Sequence, residues 1–287
     1  DLQVRSRRQR QMCIRDSINT MQALVQKSGA NKGWNVIGWM GALAGFMILS
    51  FYAVISGWAM AYIFSSASGM FVGATGEVAT EVFTSFVGDP VQVLLWHGIF
   101  MLITIFIVGR GVNEGLEKAV KYLMPALLIL LLILVGYSAT TSHFGEGLSF
   151  LFSFNVEKLS WNGVLIAMGQ AFFTLSLGMG AIMTYGAYMP KDTSIVGSAT
   201  IIALLDTSVA LLAGMAIFPL VFANGLESSS GPGLMFVTLP LAFGQMTGGV
   251  IFGTLFFLLV TFAAITSAIS LVEPALAWLV ENLNVSR

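Results

Sequence analysis

The sequence predicts an all-α membrane protein with six transmembrane helices, and three observations carry that prediction. Only 9% of the 287 residues are charged while 56% are hydrophobic, against about 25% charged in an ordinary soluble domain. The charges are clustered, leaving charge-free windows at 33–76, 90–109, 122–145, 159–190 and 228–272, and about 20 apolar residues suffice to cross a hydrocarbon core as a helix. Runs such as 127–134 are continuously apolar, whereas a spanning strand alternates polarity over roughly ten residues. This composition excludes a soluble enzyme, and a formal net charge of -1 offers no field to nucleic acid. The single cysteine, Cys13, can form neither an internal bridge nor a cysteine metal cluster.

Taken in order, the spans fall at 35–64, 92–109, 119–140, 163–189, 196–222 and 250–280. A helix over 18–30 leads into the first, which Lys27 and Lys32 precede. The loop 65–89 carries Glu77, Glu81 and Asp89 but no Lys or Arg. The second span returns to a connector holding Arg110, Lys118 and Lys121, where the third begins. Lys191 follows the fourth span, and the loop between the fifth and sixth has only Glu227. Basic residues favour the cytoplasmic side, so the connectors face inward and the acidic loops outward, with Lys158 the one basic residue outside. Trp34, Trp39, Trp96, Trp161 and Trp278 fall near span ends, where an indole sits among lipid head groups. These features predict a multi-pass protein of the cell (inner) membrane. Residues 1–17 crowd Arg5, Arg7, Arg8, Arg10 and Arg15 without an apolar signal core, and they read as a non-native leader.

A polar group in hydrocarbon is costly, about 3 kcal/mol for a mid-span carboxylate on insertion scales, so those tolerated there point to function. Asp206 lies inside the fifth span; it reads either as a carboxylate that is protonated or bonded to a neighbouring helix, or as a cation ligand. Glu273, beside Pro274 near the inner end of the sixth span, reads as structural or gating. In the fourth span Gly178 and Gly180 follow Thr174 and Ser176, and each glycine weakens a helix by about 1 kcal/mol, which predicts a break. Unwound backbone is tolerated in a bilayer only inside protein or beside a water-filled cavity, where it offers carbonyls to a cation and amides to an anion. Close helix packing uses the same glycines. In the sixth span Ala263, Thr266 and Ser267 share a face, with Leu271 one turn further on. Two hydroxyls beside a carbonyl suit a small hard cation, although such a pair also back-bonds within its own helix. Tyr52, midway along the first span, reads as packing with its hydroxyl bonded to a neighbour. His97 reads as a bonded core histidine, and His143 lies in an outer loop.

Together these residues resemble the neurotransmitter:sodium symporter family, in particular its bacterial amino-acid transporters, over about 34–283. The core of the likeness is Gly-Gln-Ala-Phe-Phe-Thr-Leu-Ser-Leu-Gly-Met-Gly-Ala-Ile-Met-Thr-Tyr-Gly-Ala-Tyr at 169–188, which looks like the family's sixth helix. Segments 49–58, 205–214 and 261–267 look like its third, seventh and eighth, and Gly231-Pro232-Gly233-Leu234 with Leu239-Pro240 is similar to the outer loop between the last two. The resemblance implies a larger inverted-repeat, leucine-transporter-type fold, of which 18–287 is a partial transporter domain holding helices three to eight. It implies no cofactor, with sodium as the coupling ion, an amino-acid substrate that is neutral and apolar or aromatic, and a lipid bilayer as surroundings.

Residue by residue, the resemblance makes Tyr52 the carboxylate contact and part of the outer gate, and Phe173 the lid. Ser176, Met179, Ser267 and Leu271 line the pocket together with Thr174, whose hydroxyl also serves the first sodium site. Asp206 completes that site's seventh-helix position, while the Ala263 carbonyl, Thr266 and Ser267 form half of the second. The resemblance also marks two departures: the family commonly has Asn where this chain has Asp206, and one turn further on, where chloride-dependent members have a hydroxyl and some chloride-independent ones a carboxylate, this chain has Ala210. Asp206 is expected to supply the negative charge that a bound chloride provides elsewhere, making chloride dispensable. No segment matches the family's first two helices, so this chain is expected not to transport alone. Two other classes compete with a transporter. An intramembrane enzyme would need a nucleophile, base or metal constellation, which His97 and His143 do not supply by spacing. A non-transporting sensor or scaffold would keep the fold.

Overall fold

A computed structural model describes residues 17–109, 114–187, 193–223, 225 and 231–283. Among them every regular element is helical. In chain order these are α1 (Ser17–Ser28), α2 (Val36–Ala67), α3 (Gly76–Gly88), α4 (Pro90–Gly109), α5 (Glu114–Ala139), α6 (Phe144–Phe152), α7 (Trp161–Thr174), α8 (Ala181–Ala187), α9 (Ile195–Ala223), α10 (Leu239–Gln245) and α11 (Gly249–Leu283). Five helical stretches are long and apolar enough to cross a membrane, Lys32–Ala67, Pro90–Gly109, Lys121–Ala139, Ile195–Ala223 and Gly249–Val280. The fourth expected span, 163–189, is over its described residues two short helices, α7 and α8, separated by six residues of turn and bend at 175–180, while 188–189 lie outside the described residues. Helices α3, α6 and α10 lie in stretches read from sequence as loops; each is too short to span, α3 and α6 carry acidic residues, and α10 falls inside the charge-free window 228–272 that was assigned to the loop before the last span.

The chain folds as two compact units. One comprises Ala53–Leu159 and Ile202–Thr266, the other the described parts of Asp1–Tyr52, Ser160–Ile201 and Ser267–Arg287. In the first, the C-terminal half of α2 places Tyr62 in an aromatic core, its ring 5.7 Å from Phe71, 5.0 Å from Phe236 and 5.3 Å from Phe257. The loop after α2 is tied to α10: the Gly73 amide donates to the Gly244 carbonyl (3.2 Å) and the Gln245 side-chain amide to the Ala74 carbonyl (3.0 Å). Thr75 caps α3 through the Val78 amide, and Asp89 caps α4 through the Val91 and Gln92 amides, satisfying donors that a helix start leaves open.

Two prolines in this unit are accommodated locally. Pro240 lacks an amide hydrogen, and a π-helical turn at Leu234–Thr238 precedes it, with the Leu239 amide reaching back to the Leu234 carbonyl. Pro219 inside α9 cannot donate to the Met215 carbonyl four residues earlier. The Ser138 hydroxyl, arriving from α5, donates to that carbonyl instead at 3.1 Å. The ring of Pro219 in turn rests on Gly147 of α6, where a Cβ would overlap it.

The second unit gathers the N-terminal half of α2, α7, α8 and the end of α11, with α1 packed against α8. Trp39 of α2 meets Trp278 of α11 edge to face at 5.0 Å. Gly180 lies against Ser17 of α1, whose hydroxyl oxygen is 2.8 Å from where a side chain on that glycine would begin, with the Pro274 Cβ at 3.6 Å.

Replacing Ser138 by Ala leaves the buried Met215 carbonyl without a donor. Ser138→Ala is expected to cost about 1–3 kcal/mol, read as a lowered thermal midpoint in detergent, while Ser142→Ala on the exposed outer turn leaves the midpoint unchanged.

Candidate functional site

Helix α7 does not fade out at the glycines; it is ended deliberately before them. The Leu177 amide donates to the Phe172 carbonyl at 2.8 Å and the Ser176 amide to the Phe173 carbonyl at 3.1 Å. That pair is the Schellman arrangement, which requires a left-handed residue at the position Ser176 occupies. Ser176 has φ 54, and Gly178 and Gly180 follow at φ 81 and 76. A left-handed serine is strained by about 1 kcal/mol relative to glycine, so the chain spends stability to keep a hydroxyl at the break. The cap uses the carbonyls of Ala171, Phe172 and Phe173, and the chain then runs without regular structure until Ala181.

Several expected site residues meet within the unit that contains this break. The Tyr52 phenol is hydrogen-bonded to the Ser267 hydroxyl, joining the middle of α2 to α11. Met179 is buried, with 5% of its surface exposed, while Ser176 and Leu271 are half-buried. Phe173 lies exposed at the end of α7. The backbone of the break presses on α2: a Cβ on Gly41 would lie 3.1 Å from the Gly180 nitrogen, and one on Gly45 3.1 Å from the Leu271 carbonyl and 3.6 Å from that of Met179.

Of the expected cation ligands, Ala263, Thr266 and Asp206 belong to the companion unit. The Thr266 hydroxyl donates to the Ala263 carbonyl at 2.8 Å, the back-bonded geometry that sequence left open beside the cation-ligand reading; it also holds two oxygens side by side on one face of α11. Ser267 follows directly on the same helix. Asp206 is half-buried on α9 and engaged in a polar or electrostatic interaction. Thr174 closes α7 in the unit of the break, whereas Asp206 belongs to the companion unit.

Two departures from the sequence reading stand out. His97, expected to be a bonded core histidine, has a buried Nδ1 with no hydrogen-bond partner among the described residues; its backbone lies against Gly57 of α2, and this close approach, not a side-chain bond, fixes the residue. Ser176 was expected only as a pocket-lining hydroxyl, yet it is also the residue that ends the helix. Nothing in residue type announces a left-handed serine. The Gly41 and Gly45 seat was legible only as a four-residue glycine spacing, which ordinary helix packing shares.

A family profile described as the sodium:neurotransmitter symporter family matches residues 85–287. The chain is 40% identical, over 92% of its length, to an uncharacterized sodium-dependent transporter of Bacillus subtilis, covering 58% of that relative. It is 33% identical, over 94% of its length, to one from Haemophilus influenzae, covering 61%. Among solved structures, MhsT in complex with L-phenylalanine superposes with a TM-score of 0.86 at 45% identity, covering 94% of this chain and 61% of that one. The chain thus spans about three fifths of the length of the relatives it matches.

The strained cap makes a direct prediction. Ser176→Gly is expected to stabilise the fold by about 1 kcal/mol, seen as a raised thermal midpoint in detergent, whereas Ser176→Val, β-branched at a left-handed position, lowers it.

Proposed function

Because this chain belongs to the sodium:neurotransmitter symporter family, we propose that it forms part of a multi-pass symporter that couples sodium entry to uptake of a neutral apolar or aromatic amino acid across the cell (inner) membrane. The observation that carries this reading is the membrane-depth break at 175–180 in the same unit as the hydrogen-bonded Tyr52 and Ser267. Broken helices of this kind give a bilayer-buried site both carbonyls and amides. In this reading residues 18–287 supply helices three to eight, and transport belongs to a protein with the full length of its relatives.

The chemistry follows from the residues. Tyr52 donates its phenol proton to the substrate carboxylate, exchanging its bond with Ser267. Ser176 lies near the amine, and Met179 and Leu271 offer apolar walls; methionine adapts to varied side-chain shapes. Phe173 covers the pocket. MhsT, at 45% identity, is a complex with L-phenylalanine, which supports an aromatic or apolar substrate here.

In this reading Thr174, Asp206, the Ala263 carbonyl, Thr266 and Ser267 are sodium ligands. The oxygens of Ala263 and Thr266, 2.8 Å apart, turn from each other to a common cation. Hard cations take oxygen ligands, and each sodium ion offsets the cost of burying a carboxylate, so sodium and substrate raise each other's affinity by equal factors. Asp206 supplies the fixed negative charge that makes chloride unnecessary.

In proteoliposomes carrying the full-length protein, L-phenylalanine uptake is expected to require an inward sodium gradient; equal uptake with choline replacing sodium would reject symport. Sodium-dependent binding without uptake would instead favour a sensor or scaffold. Replacing chloride by gluconate is expected to leave uptake unchanged, and a fall to background would remove the charge-substitution role of Asp206. Asp206→Asn is expected to raise the sodium concentration for half-maximal uptake about tenfold, corresponding to about 1.4 kcal/mol.

A further inference from the structure

Gly45 stands where three stretches of one unit meet. A Cβ there would lie 3.1 Å from the Leu271 carbonyl oxygen, closer than ordinary contact, and 3.6 Å from the Met179 carbonyl oxygen. Met179 comes from the broken segment and Leu271 from α11, so one α-carbon of α2 is the common stop for the backbones carrying both apolar pocket residues. Seven residues further along α2, on the same face of the helix, Tyr52 is hydrogen-bonded to Ser267. Ser267 and Leu271 are themselves one turn apart on α11. Two helices are therefore fastened at two levels: by a polar contact at Tyr52 and Ser267, and by bare backbone contact at Gly45 and Leu271, with Met179 drawn to the second level.

We propose that Gly45 is a positioning residue that sets which amino-acid side chains the pocket accepts. This rests on the transporter reading above, since Met179 and Leu271 are its apolar walls. A methyl group at position 45 has no room unless the Leu271 carbonyl gives by a few tenths of an ångström. Tyr52 lies two turns from Gly45 along α2 and Ser267 one turn from Leu271 along α11, so the Tyr52 and Ser267 contact is expected to hold through that displacement. The polar end of the substrate site therefore keeps its geometry while the apolar end shifts, and the consequence is a change in side-chain selectivity with the carboxylate contact preserved. Gly45 touches neither substrate nor ion; it acts through the main chain of residues that do.

The test is Gly45→Ala in the full-length protein, with Gly136→Ala as control because a Cβ on Gly136 meets nothing within 4 Å. Sodium-driven uptake of L-phenylalanine and of L-alanine is measured at saturating sodium. For Gly45→Ala the KM for L-phenylalanine is expected to rise about tenfold, since small misplacements in a site are costly, with kcat within about twofold and the phenylalanine-to-alanine ratio of kcat/KM reduced. Gly136→Ala changes none of these. Should Gly45→Ala fail to give folded protein, Gly41→Ala, which presses on Gly180 and Gly178 of the same broken segment, is expected to raise the same KM. An unchanged KM and selectivity ratio in folded protein overturns the proposal, as does an equal loss of kcat for both substrates with no change in selectivity. Absence of sodium-driven uptake in the unsubstituted protein is a different result, and overturns the transporter reading on which the proposal stands.

Discussion

Hydrocarbon provides no water to bond a peptide group, so a helix that stops inside a bilayer must settle its open carbonyls and amides with protein, ions or a water-filled cavity. Everything distinctive about this chain surrounds such a stop. The Schellman cap at Ser176 satisfies the last carbonyls of α7, and the residues beyond it are turned by two further left-handed glycines. What remains between Leu177 and Ala181 is backbone without a regular partner pattern. Around it, α2 presents Gly41 and Gly45, α1 presents Ser17 and the end of α11 presents Pro274. The left-handed serine thus sits in a segment closely packed against three neighbouring helices.

The rest of the chain can be read as scaffold for that arrangement. In the companion unit the aromatic core around Tyr62 and Phe236 anchors the C-terminal half of α2 and the start of α11, the same two helices whose other halves hold Tyr52 and Ser267. Proline in long helices would leave carbonyls open, yet Pro219 has Ser138 as a substitute donor and Pro240 has a π-helical turn before it. Both devices keep helix interiors satisfied at depths where an open carbonyl is expensive.

The spans were legible because a missing charge is a strong signal over twenty residues, and the break was legible because Gly178 and Gly180 are poor helix formers in a stretch otherwise suited to one. The residue that ends α7 was not, since serine enters left-handed backbone only under tertiary compulsion. Tyr52 was expected to find a partner for its hydroxyl, but the identity of that partner, Ser267, depends on how distant parts of the chain pack. The same holds for Ser138 and Met215. Short helices in the outer loops, such as α3 and α6, went unread because their apolar faces are interrupted by the polar residues that loops also contain. Family likeness named the site residues of α2, α7, α9 and α11; it did not foreshadow that Gly45 would sit against two of them.

The central claim is that the segment around Ser176 and Gly180 receives ligand together with sodium. Hydrogen–deuterium exchange of the full-length protein, resolved at the amides of 175–180 and compared with and without sodium and L-phenylalanine, tests it most directly. Slower exchange in this segment, strongest when both are present and weaker with either alone, is the predicted result. Exchange there that is indifferent to both, or protection confined to other parts of the chain, would contradict the account.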